Sequence, residues 1–255
     1  MVGRHRTRHR FARLMLATGC VLAVQLTGGD AHADDGPTGS PYRLKWSYDS
    51  ALVALGAAGT MTAVLGHPKP TCHPSCEPPE AMLGIDSASI GNYSPRAHRL
   101  ASLAVFGLVL APIVINAADT RFHGWAEDTF VMLESVLLAQ AITQVTKSAV
   151  GRTAPFVYNP RAAPEDIGSA DAFRSFISGH SSTAFAAATS YSVTFWKRHP
   201  RSPWRFVVLG VGHALATGIA LLKIEAGYHY ATDVTAGALV GSAMGLLVPT
   251  LHSEW

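Results

Sequence analysis

Six apolar segments, near 49–66, 99–118, 129–146, 181–196, 205–222 and 233–251, divide this chain of 255 residues, each bounded by Pro, Gly or charge. At about 16 to 20 residues, and rich in Ala and Leu, they fit helices better than strands. The reading is an all-α, six-helix bundle. Charged residues are only 15% of the chain and hydrophobic ones 48%, against roughly 25% charged in soluble proteins. That excludes disorder and collagen and points to a membrane-associated bundle or a very apolar core. The net charge of +3 is spread thinly, so no basic face is available and nucleic acid is excluded as a partner. Three cysteines cannot form a disulfide scaffold.

The N-terminus reads as an address. Arg4, Arg6, Arg8, Arg10 and Arg13 precede an apolar stretch from Leu14 to Leu26, and Ala31-His32-Ala33 supplies the small residues a signal peptidase requires. This divides the chain into a signal peptide (1–33), a polar linker (34–48) and a helical domain (49–255). An uncleaved anchor, or a lipoprotein acylated on Cys20, are the alternatives. The turn holding Lys197, Arg198, Arg201 and Arg205 belongs in the cytoplasm by the positive-inside rule, which places the loops at 147–177 and 223–232 in the periplasm. A cleaved signal starts the chain outside, so a spanning 49–66 helix would invert that arrangement. Either that helix does not span, or the bundle is a soluble or surface-bound periplasmic domain. Cys72 and Cys76, with His67 and His73 nearby, read as a bridge or loop thiols before a metal site. Glu134 and His213, inside apolar helices, are expected to find partners within the bundle. Glu225 either borders the site or is solvated. The series Gly237, Gly241, Gly245 fits close helix packing.

Three blocks carry chemistry. In Lys147-Ser-Ala-Val-Gly-Arg152-Thr-Ala-Pro155 an apolar helix releases two cations into a loop, where they can hold an anion or simply complement the helix dipole. In Arg174-Ser-Phe-Ile-Ser178-Gly179-His180-Ser-Ser182 the polar residues gather where an Ala-rich helix begins; its free N–H groups suit an anion such as phosphate, or Ser178 is an ordinary N-cap. In Lys223-Ile-Glu-Ala-Gly227-Tyr-His229-Tyr-Ala-Thr-Asp233 the His and Asp lie four apart, so the carboxylate can fix the imidazole tautomer and leave the other nitrogen as nucleophile or base.

Their order and spacing resemble the type 2 phosphatidic acid phosphatase superfamily, which also contains bacterial class A acid phosphatases and vanadium haloperoxidases. The resemblance covers roughly residues 99–250 and is most specific in Ser-Phe-Ile-Ser-Gly-His-Ser-Ser-Thr-Ala-Phe-Ala and Gly-Tyr-His-Tyr-Ala-Thr-Asp-Val-Thr-Ala-Gly. It implies that His229 attacks phosphorus to form a phosphohistidine, that Asp233 orients it, and that His180 protonates the leaving oxygen and later activates water. It further implies phosphate contacts from Lys147, Arg152, Ser178, Gly179 and Lys223, with no metal and no cofactor.

Three positions depart from the family's pattern. Ala154 stands where the family has Arg before Pro, Ile177 where it has Pro, and Lys223 where it has Arg, which keeps charge but loses the bidentate fork. Arg152 is the cation left to reach in. The expected protein is an exported phosphatase at the inner membrane with its site facing the periplasm. Its substrate would be a phosphorylated lipid, monoester or pyrophosphate. A soluble periplasmic acid phosphatase acting on small phosphate esters, or a non-catalytic phosphate-binding member, are the alternatives.

Overall fold

The computed structural model describes residues 39–65 and 84–253. The proposed signal peptide, the start of the linker and the Cys72 and Cys76 loop lie outside the described residues. Among those residues there are eight α-helices rather than six: α1 (Trp46–Leu65), α2 (Gly84–Ser87), α3 (Pro95–Thr120), α4 (Trp125–Val150), α5 (Pro164–Ile167), α6 (Gly179–Arg198), α7 (Trp204–Glu225) and α8 (Ala231–Leu251). The six long helices fall on the six apolar segments. The two additions, α2 and α5, are four residues each, too short to carry a periodic apolar pattern.

The long helices overrun their apolar segments because polar residues set their ends. Ser94 caps α3, its side chain accepting from the Ala97 N–H, with Pro95 in the first turn. Ser178 caps α6 in the same way, accepting from Ser181. Gly151 closes α4 in the left-handed region at φ 61°, and its N–H donates to the Lys147 carbonyl. That turn leaves Lys147 on the helix and sends Arg152 into the loop.

At the centre is α6, packed against α3, α4, α7 and α8. Its buried residues are small, and its buried hydroxyls have partners: Ser181 donates to the Val234 carbonyl at 2.8 Å, Ser192 to Ala188 at 2.6 Å, and Thr194 meets the Tyr42 hydroxyl at 2.8 Å. Against it runs α8. A Cβ at Gly237 or Gly245 would stand 2.6 or 2.7 Å from the carbonyls of Ser178 and Ala186, and one at Gly241 would overlap the Ser182 carbonyl. The glycine series is therefore a contact between two helix backbones.

Four helices, α3, α4, α7 and α8, are long and apolar enough to cross a membrane. Much of their apolar surface faces outward: Leu103, Phe106 and Val114 on α3, Phe206, Val211 and Leu215 on α7, and Leu239 and Leu246 on α8 are all exposed. Such a continuous apolar girdle suits lipid rather than water, and the chain has the character of a membrane protein. The helix directions give the bundle two ends. The starts of α3, α6 and α8 and the ends of α4 and α7 meet at one; the basic turn between α6 and α7 and the end of α8 lie at the other, about 30 Å away along the 21 residues of α8.

Candidate active site

The first end holds a cavity of about 410 Å³ lined by Lys147, Gly179, His180, Lys223 and His229, with Ser102, Gln140, Gln144, Asp171 and Tyr228 around them. Five of the eight residues singled out from the sequence thus share one cavity. Ser178 lies just beneath it, fully buried as the α6 cap, its own N–H donating to the Asp233 carbonyl at 3.0 Å. Starting after Ser178, α6 leaves the N–H groups of Gly179 and His180 without intrahelical partners at the cavity wall.

His229 and Asp233 face each other as their spacing suggests. Nδ1 of His229 lies 3.7 Å from Oδ2 of Asp233, which is ion-pair distance but too long for a hydrogen bond. Nδ1 has no hydrogen-bond partner among the described residues. Asp233 is fully buried; its Oδ2 accepts from the Tyr230 N–H at 2.9 Å and its Oδ1 from Arg152 at 2.6 Å. Burial pushes His229 down to about 4, against the opposing pull of Asp233 and with added repulsion from Lys147 and Lys223. At neutral pH its imidazole is therefore uncharged and nucleophilic.

His180 contacts Ser102, with Nε2 and Oγ 3.1 Å apart. The single hydroxyl proton of Ser102 goes to the His98 carbonyl at 2.9 Å, so Ser102 accepts from an Nε2–H of His180. Burial, then Lys223, His229 and His98, push His180 down to about 2. An anion in the cavity would oppose that repulsion and let the ring take a proton.

Arg152 stands outside the cavity lining, behind the His–Asp pair. Its guanidinium bridges Asp233 and Asp86 at 2.6 and 2.8 Å, donates to Thr232, and lies 3.8 Å over the Tyr230 ring. Asp86 also accepts from the Thr232 N–H and hydroxyl at 3.0 and 2.7 Å. Burial alone would raise Asp86, but these hydrogen bonds outweigh it and hold the carboxyl below its usual range. Ala154, the departure from the family pattern, is fully buried in an apolar cluster with Phe156, Ala172 and Phe173. Glu225 is exposed and does not line the cavity.

Several residues here were not anticipated. His98, on α3, accepts from Lys223 Nζ at 3.0 Å and stacks on Tyr228 with centroids 4.0 Å apart. It is a polar residue one turn after a Ser-Pro helix start, with Ser102 four residues on, and that spacing was the available signal. Arg174 is 4% exposed. It donates to Gln144 Oε1 at 3.1 Å and Ser148 Oγ at 3.3 Å, while its carbonyl accepts from Lys147 Nζ at 2.6 Å. Its Nε has no hydrogen-bond partner among the described residues. Two buried lysines, Lys147 and Lys223, thus line a cavity whose one lining acid among the described residues is the exposed Asp171, and the buried Arg174 reaches the lining residue Gln144. Such a site is complementary to an anion.

The sequence profile of the PAP2 superfamily matches residues 128–255. Among curated proteins, the chain is 38% identical over 76 residues to a lipid A 1-phosphatase of Porphyromonas gingivalis, covering 30% of this chain and 16% of that one. It is 29% identical over 140 residues to a probable diacylglycerol pyrophosphate phosphatase 1 of Schizosaccharomyces pombe, covering 46% of this chain and 50% of that one. The chain thus spans half or less of the curated relatives it matches. A solved structure, the transmembrane PAP2 type phosphatidylglycerolphosphate phosphatase from Bacillus subtilis, is similar with a TM-score of 0.49 and 19% identity over 81% of this chain and 92% of that one.

Proposed function

Because this chain belongs to the PAP2 superfamily, we propose that it is a phosphatase that hydrolyses lipid phosphate monoesters or pyrophosphates through a phosphohistidine. The observation that carries this is the placing of two neutral histidines and two lysines on one cavity. Asp233 accepts from the Nδ1–H of His229 once the 3.7 Å gap closes, and Nε2 attacks phosphorus. The bond from phosphorus to the leaving oxygen breaks, and His180, which takes up a proton when the bound phosphate offsets the surrounding positive charge, gives that oxygen the proton. His180 then takes a proton from water, which attacks the phosphohistidine and releases phosphate. Lys147, Lys223 and the Gly179 N–H hold the phosphate oxygens as charge develops, with Ser178 capping the helix beneath them. Arg152 acts from behind, keeping Asp233 ionised and in place. Arg174, joined to the cavity through Gln144, supplies the positive charge that Ala154 lacks. The lysines and Arg174 neutralise charge that a metal would otherwise neutralise, so the chemistry proceeds without one.

A lipid substrate is supported by the cavity's apolar side. Val105 and Phe106 of α3 line it, and Phe106 is also exposed on the outer apolar surface of that helix, giving an acyl chain a route from the bilayer to the histidines. Charge supports an orientation. Lys45, Arg121, Lys197 and Arg201 are exposed at the end remote from the cavity, against Arg96, Arg99 and Arg161 at the cavity end, a modest bias that supports a cytoplasmic remote end and a site at the periplasmic face. Ser40–Lys45 enters the bundle at the same remote end, where Ser40 bonds Asp128. A signal peptide cut near Asp34 would place that end outside and turn the site inward, so locating the mature N-terminus and labelling single cysteines at each end decides between the two.

Phosphate release from phosphatidate by detergent-purified protein tests the function. The expected result is release that is not raised by added Mg²⁺, Mn²⁺ or Zn²⁺ and that disappears in His229→Ala. Release that survives His229→Ala contradicts the mechanism. No release by wild type from phosphatidate, a polyprenyl diphosphate or an aryl phosphate contradicts the enzyme assignment.

A further inference from the structure

At the other end of α8 lies a second histidine–carboxylate cluster with no part in this chemistry. Asp49 in the first turn of α1, Glu134 in α4 and His252 just past α8 present three donor atoms that all lie within 4.8 Å of one another. Asp49 is 2% exposed and Glu134 1%. His252 Nε2 is 3.3 Å from Asp49 Oδ1 and 3.4 Å from Glu134 Oε2. Neither oxygen of Glu134 has a hydrogen-bond partner among the described residues, although a buried carboxylate ordinarily collects several.

The tautomer of His252 sharpens the problem. Its Nδ1 lies 2.9 Å from the Val248 carbonyl, which can only accept, so Nδ1 carries a proton. In the neutral ring Nε2 is then a lone pair directed at two carboxylates, an arrangement that repels unless a proton or a metal ion lies between them. A histidine donating one N–H to a backbone carbonyl and offering the other nitrogen to carboxylates is the usual posture of a metal ligand.

The donor set, one imidazole and two carboxylates, favours a borderline cation such as Zn²⁺, and the two measured separations are compatible with it. Ligands about 2.0–2.1 Å from a tetrahedral centre lie about 3.3–3.4 Å apart along each edge, which matches the two N···O separations here. Ca²⁺ takes six to eight oxygens, and Mg²⁺ keeps water and shuns imidazole. We propose that Asp49, Glu134 and His252 bind one Zn²⁺-like divalent cation, with water as fourth ligand. The ion ties the start of α1, the interior of α4 and the end of α8 together, remote from the phosphate cavity. Asp49 is already held for this by the Lys45 N–H at 2.6 Å, and the His252 carbonyl by the Arg43 N–H at 2.9 Å.

The test uses full-length, tag-free protein carrying Cys20→Ser, Cys72→Ser and Cys76→Ser, so that thiolates contribute nothing, dialysed against Zn²⁺ or Co²⁺. The expected result is one equivalent of metal per chain. The Co²⁺ form should show d–d absorption of tetrahedral strength without sulfur charge transfer, and the thermal midpoint should exceed that of the chelated protein. Near-isosteric Glu134→Gln should lose at least tenfold in affinity while His180→Ala keeps the metal. Absence of bound metal in the wild-type cluster overturns the proposal, as does an equivalent that survives Glu134→Gln or is lost in His180→Ala. Phosphatase activity is not the readout, so the outcome is independent of the mechanism above.

Discussion

The two ends of α8 carry the same residue types in opposite electrostatic settings. At its start, His229 and Asp233 sit beside Lys147, Lys223 and Arg174, with Arg152 held between two carboxylates. At its end, His252 meets Asp49 and Glu134, and Glu134 has no hydrogen-bond partner among the described residues. One cluster is short of an anion and the other of a cation. A histidine next to a carboxylate has no fixed meaning; the charge around the pair decides whether it is a nucleophile awaiting phosphate or a ligand awaiting metal.

If this contrast is right, variants at the two ends should separate cleanly. The largest effect is expected from His229→Ala, which should lower kcat by roughly 10⁴-fold or more while leaving metal content unchanged. Glu134→Gln should do the reverse, and equal loss of activity in both would erase the distinction. Next come the cations. Arg174→Gln and Lys223→Met are each expected to cost roughly 10²–10³-fold in kcat/KM, on the scale of a lost oxyanion donor. A harmless Arg174→Gln would mean that the charge absent at Ala154 is not replaced from there. Gly241→Ala should destabilise the fold by about 1–3 kcal/mol, because its Cβ would strike the Ser182 carbonyl. Thermal unfolding in detergent measures it.

The last effect concerns pH. His229 and His180 are held down to about 4 and about 2 in the folded chain, against about 6.5 unfolded. Between these values the unfolded chain binds more protons than the folded one, so stability falls as pH drops from about 6.5 through about 4, by up to about 1.4 kcal/mol per pH unit for each histidine. His229→Gln should flatten part of that slope. Inorganic phosphate should flatten it too if the cavity binds anions, since it restores the histidines' affinity for protons.

Much of this architecture was legible in the sequence because its signals are local. Apolar length marked all six long helices, and Ser-Gly-His and His-x-x-x-Asp each lie within one helix turn of a boundary. Residues that act across the fold left weaker traces. Asp86 reaches Arg152 and Thr232 from a four-residue helix with no pattern of its own. His98 meets Lys223 across 125 residues. Arg152 was expected to reach the phosphate and instead lies behind Asp233, because the left-handed Gly151 turns the chain toward α2 and α8. Glu134 finds the expected partner within the bundle in His252, at ion-pair distance but without a hydrogen bond, and His213 finds its partners in Thr189 and the Leu209 carbonyl.

The central claim is that the neutral His229, set against Asp233 and facing a cation-lined cavity, is the nucleophile. The most direct measurement is to acid-free quench the protein during turnover of phosphatidate, digest it at alkaline pH and map the phosphorylated peptide. The account expects an acid-labile phosphoryl group on His229, enriched in His180→Ala if water activation is slowed. Phosphate release proceeding while every histidine peptide stays unmodified, or the phosphoryl group found on another residue, would contradict it.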